Sequence, residues 1–124
     1  MYQWIGLALA GAAGTLARFG LGGLVQRVLG PAFPWGTLVV NILGCLLFGV
    51  FVSLAEHKIE FGEATRNIVL VGFLGAFTTF STLAFHTGDF LRANQWVMAF
   101  ANLTAHNAIG LAFLFAGFRL GRLL

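Results

Sequence analysis

The sequence predicts an all-α membrane protein: four transmembrane helices, the third of them broken. Three observations lead there. The chain of 124 residues is 59% hydrophobic and 9% charged, whereas soluble domains carry roughly a quarter charged residues. Its apolar residues gather in four segments, each near the roughly 20 residues that cross a bilayer. Its three tryptophans, Trp4, Trp35 and Trp96, each open one of those segments, at the headgroup level an indole prefers. One domain is all this length supports.

The first segment runs from Trp4 to Val25. It lacks the basic opening of a signal peptide, and its apolar run outlasts a normal signal core, so it is expected to be retained as a span. Gly30, Pro31 and Pro34 then form a tight turn, because proline blocks helix continuation. The second segment runs from Trp35 to Leu54 and ends at a polar connection, Glu56 to Glu63, which holds three of the four acidic residues. The third runs from Ile68 to Phe85, with a short polar connection from Gly88 to Gln95. The fourth runs from Trp96 to Phe118.

The third segment contains the stretch Gly72 to Thr82, reading GFLGAFTTFST. Thr78, Thr79, Ser81 and Thr82 carry hydroxyls, and Gly72 and Gly75 weaken the helix. Lipid offers no water to such groups or to backbone released from a helix. The spacing therefore predicts an interruption that lines a protein-enclosed site. Small residues at four-residue intervals, Gly6, Ala10 and Gly14 in the first segment and Ala108, Ala112 and Ala116 in the fourth, mark expected helix contacts.

Four spans place both termini on one side. Lys58, Arg66, Arg119 and Arg122 fall on that side, and Arg27 and Arg92 fall opposite. Such balance orients a chain only weakly, so insertion in both directions is expected. An antiparallel pair would create the inverted repeat common in transporters, and four short helices enclose little interior alone. No basic run exists, so no nucleic acid is expected as partner. Cys45 is alone and reads as core filler.

The chemistry begins with an absence. Glu56, Glu60 and Glu63 lie in a loop and Asp89 at the end of the third segment, so no acid occupies a membrane core. Proton-coupled cation export normally needs one. Hydrogen-bond donors are present instead: Thr37 and Asn41 in the second segment, the hydroxyl run in the third, and Asn102, Thr104, His106 and Asn107 in the fourth. A desolvated anion needs such donors. The competing reading is that they only glue helices together, worth about 0.6 kcal/mol each. A phenyl ring has a positive edge that can face an anion, and Phe80 lies inside the hydroxyl run. Arg18 is the one basic residue well inside a span. It either serves an anion vestibule or reaches the interface and bonds carbonyls. His106 reads as a packing donor.

At GFLGAFTTFST the sequence resembles the Fluc/CrcB family of fluoride channels. Pro34 to Asn41 (PWGTLVVN), Gly14 to Arg18 (GTLAR) and Asn107 to Gly110 (NAIG) resemble its second, first and fourth helix motifs. The resemblance covers essentially the whole chain. It implies an antiparallel dual-topology homodimer with two fluoride pores near the subunit interface, passively exporting fluoride, and the small size and near-balanced loop charges suit a bacterial inner membrane. It further implies a structural sodium ion (Na+) at the broken helix, held by carbonyls of Gly75 and Thr78 from both subunits. By the same resemblance Asn41 donates along the pathway and Phe80 supplies an edge-on ring. Thr37, Thr79, Ser81 and Thr82 are polar neighbours, and Arg18 stands near the vestibule. Leu83 replaces a second pore phenylalanine, and Ala76 and Leu111 stand where glycine and serine are common. The alternatives are a small dual-topology multidrug exporter, which would need a first-helix glutamate that this chain lacks, and a non-transporting assembly subunit.

Overall fold

A computed structural model describes residues 1–124 as helices joined by short turns. Helix α1 is Tyr2–Leu29 and α2 is Trp35–His57. Helix α3 covers residues 63–77, α4 is Phe80–Arg92 and α5 is Trp96–Leu123. Four helical stretches are long and apolar enough to cross a membrane, α3 and α4 together making the third, Glu63–Arg92.

The expected turn after α1 is present, and a side chain not singled out from the sequence holds it. Gln26 donates from Nε2 to the carbonyls of Gly30 at 2.6 Å and Phe33 at 2.9 Å, and its Oε1 accepts from Gly36 N–H at 3.1 Å. Gly30 has φ +90°, a left-handed conformation that suits glycine. Immediately afterwards α2 crosses α1, Gly36 against the backbone of Gly22, where a Cβ would strike a carbonyl.

The first small-residue stripe packs as predicted: Gly6 meets Ile68, Ala10 meets Gly72, and Gly14 meets the Phe73 carbonyl and Ala76. The fourth-segment stripe does not. Ala108, Ala112 and Ala116 are exposed on this chain. Helix α5 instead approaches α2 through Gly110, Gly117 and Gly121, which meet Cys45, Gly49 and Ser53. Glycine wins because the backbones come close enough that even an alanine methyl would strike Leu46 and Val50.

A second correction concerns the connection after the third span. Gly88 to Arg92 is helical, and the turn is confined to Ala93–Gln95, with Asn94 left-handed at φ 57°. Asp89 and Arg92 pair one turn apart, so polar residues there extend the helix rather than end it. Inside the bundle, Asn102 is fully buried and donates to Thr87 Oγ1 at 3.1 Å, and Thr87 donates to the Leu83 carbonyl at 2.8 Å. That pair ties α4 to α5.

Candidate functional site

The third span is interrupted where the hydroxyl run predicts. Residues Ile68–Leu74 form wide π-helical turns, and the Gly75 N–H reaches the Leu70 carbonyl five residues back. Thr78 N–H and Thr78 Oγ1 both donate to the Leu74 carbonyl at 3.0 Å. The chain then extends, with Thr78 at φ −92°, ψ 158° and Thr79 at φ −149°, ψ 114°. Thr79 restarts the helix as its N-cap, Oγ1 accepting from Thr82 N–H at 3.2 Å.

One side chain from another helix holds the interruption open. Asn41 Oδ1 accepts from Thr79 N–H at 2.8 Å, and Asn41 Nδ2 donates to the Thr79 carbonyl at 3.0 Å. The amide thus pairs with both backbone groups of Thr79. In a regular helix Thr79 N–H would serve the Gly75 carbonyl, and Thr82 N–H would serve that of Thr78. Both donors are diverted to side chains, which releases the two carbonyls from those bonds. Gly44, one turn beyond Asn41, lets Thr78 sit against α2, since a Cβ there would strike the Thr78 methyl.

Two cavities meet at this point. The first, about 650 Å³, brings together Arg18, Thr37, Thr79 and Thr82 with His86 and Asp89. The second, about 440 Å³, brings together Asn41, Thr78, Thr79, Phe80 and Leu83 beside His106. Thr79 lines both, so the Asn41–Thr79 pair stands between them. Donors line this junction in succession. Thr79 Oγ1 donates to Thr82 Oγ1 at 2.9 Å, leaving the Thr82 hydrogen free, and Asn41 retains a second amide hydrogen. No carboxylate lines the second cavity. Such a lining suits a small anion that accepts hydrogen bonds.

Ser81 and Gly75 line neither cavity and are exposed, although Ser81 lies 3.3 Å from the Thr79 hydroxyl. Phe80 is 80% exposed on this chain, whereas Leu83 is buried. His106 donates from Nδ1 to the Asn102 carbonyl at 2.9 Å, and its Nε2 is buried with no partner. Sequence reasoning missed His86, whose Nε2 lies 3.4 Å from Thr37 Oγ1. The signal existed: Thr79, Thr82, His86 and Asp89 recur at helical spacing on one face.

Residues 5–118 match the family described as CrcB-like protein, Camphor Resistance (CrcB). The chain belongs to the CrcB family. Similar proteins share nearly its whole length. One from Nitrosococcus oceani, named Fluoride-specific ion channel FluC, is 51% identical over 98% of this chain and 95% of its own. A protein of the same name from Solidesulfovibrio magneticus is 52% identical over 95% and 94%. Another, from Desulforapulum autotrophicum, is 46% identical over 99% and 98%. With four membrane-length helices, this CrcB family member is a multi-pass membrane protein.

Proposed function

We propose that this chain forms a fluoride-selective channel that lets the ion leave the cell passively and so limits its toxicity. The observation that carries the reading is the donor row of Thr82, Thr79 and Asn41 at a break in a helix, with Thr79 lining both the Arg18 cavity and the second cavity. Fluoride is small, hard and strongly basic among halides, and weak donors in a narrow passage suit it. Chloride is larger and a weaker acceptor. The relatives' names support a channel and lend nothing to the multidrug exporter.

The functional unit in this proposal is an antiparallel homodimer in a bacterial inner membrane. Its support is the exposure of Phe80, Gly75 and Asn107 on one chain, residues that a second copy would cover. The Phe80 ring edge then faces an anion at the subunit boundary. Leu83 contributes an apolar wall and no ring edge.

A structural sodium ion belongs to the same proposal, with Gly75 and Thr78 as its holders. The residues fit: each carbonyl has lost its usual helical donor to a side chain, and carbonyl oxygens are hard ligands for a hard cation. Bound there, sodium would neutralise carbonyl dipoles freed by the break. The chain's own part is to hold that break, through Asn41, Gly44 and the Thr79 cap.

The test is fluoride release from vesicles containing the purified protein, followed with a fluoride electrode, with chloride release as the control. Rapid fluoride release with retained chloride supports the channel. Retention of both supports the assembly-subunit alternative.

A further inference from the structure

His86 occupies a place that the channel reading leaves without a role. It lines the first cavity together with Arg18, Arg27 and Thr37, and its Nε2 lies 3.4 Å from the Thr37 hydroxyl oxygen. Thr37 is one turn before Asn41 on α2, so the pair stands between the cavity and the amide that holds the break. We propose that His86 is a further binding residue for the transported anion, recruiting it into the vestibule when the imidazole is charged. This rests on the fluoride-channel reading.

Two effects act in the same direction. A charged ring adds a cation to a cavity already holding Arg18 and Arg27, raising the local anion concentration. It also reverses the bond to Thr37. A neutral ring can accept the Thr37 hydrogen, whereas an imidazolium has only donors. Thr37 must then accept, and its own hydrogen is released toward the cavity, where an anion uses it.

The other charged and titratable groups facing His86 are few. On α1 they are Arg18 and Arg27. On α4, Asp89 lies one turn on and is paired with Arg92. On α5, His106 lines the second cavity and donates to the Asn102 carbonyl. Helix α2 contributes the Thr37 hydroxyl and no ionisable group.

The experiment is electrical recording of fluoride current in planar bilayers at sub-saturating fluoride, at about pH 5.5 and about pH 8, which bracket the range where imidazoles as a class change charge. Hydrogen fluoride is neutral and carries no current, so its leak does not register. The wild-type current should rise roughly two- to fivefold on acidification, the size of one screened charge. His86→Gln and His86→Arg should each bring the ratio of the two currents to about one. A wild-type ratio of one overturns the proposal, as does a wild-type-like ratio in His86→Gln. Absence of fluoride current at both pH values contradicts the channel reading itself, a different outcome from a steady current indifferent to pH.

Discussion

The Asn41 side-chain amide is paired with the backbone of Thr79 through two hydrogen bonds, at 2.8 and 3.0 Å, across two helices. A side chain on an intact helix thereby bonds both backbone groups of the residue at which the third span breaks. The sequence reading assigned Asn41 to an anion. The geometry gives it a structural task as well, and leaves one amide hydrogen for the passage.

Asn41→Asp tests this dual role. The carboxylate still accepts from Thr79 N–H but cannot donate to the Thr79 carbonyl, and it places negative charge beside that oxygen. Leaving such a group unpaired costs about 1–3 kcal/mol, more when charge is involved. Fluoride efflux from vesicles should fall at least ~100-fold.

The close crossing of α2 and α5 predicts a contrast between two glycines. Gly117→Val would drive its Cβ into the Leu46 carbonyl and the backbone of Gly49 and Val50, which cannot yield. It should destabilise by about 1–3 kcal/mol or more, lowering the thermal unfolding midpoint in detergent. Gly88→Ala meets nothing within 4 Å and should stabilise α4 by about 0.5–1 kcal/mol.

The Thr87–Asn102 bond predicts coupling. Thr87→Val leaves the fully buried Asn102 amide without its acceptor, and Asn102→Ala removes the donor. A double-mutant cycle on unfolding should return a coupling of about 0.6 kcal/mol, and at most about 1.7. Additive effects would show that the bond contributes nothing.

The proposed sodium predicts a dependence on the cation. Exhaustive replacement of Na+ by a bulky organic cation should reduce fluoride efflux, and returned Na+ should restore it. Undiminished efflux without sodium would remove the ion from the account.

Much of this was legible in the sequence because a bilayer constrains composition severely. The four spans and the interruption at Thr78–Thr79 follow from where apolar runs end and hydroxyls collect. What stayed hidden depends on side-chain direction. Nothing in the spacing of Gln26 shows that it bridges Gly30, Phe33 and Gly36. The π-helical turns at Ile68–Leu74 have no composition of their own. The end of α4 was misplaced because Gly88 and Asp89 look like a loop, yet Asp89 has Arg92 and a polar cavity to face. The alanine stripe of α5 is left exposed on this chain, because alanine and glycine share a spacing pattern and only glycine permits the contact with Gly49.

The central claim is that a donor-lined gap in a helix conducts fluoride and rejects chloride. The reversal potential of wild-type current with fluoride on one side of a bilayer and chloride on the other measures that selectivity directly. It should lie far from zero, in the direction that only fluoride movement produces. A reversal near zero, with both halides passing equally, would contradict it.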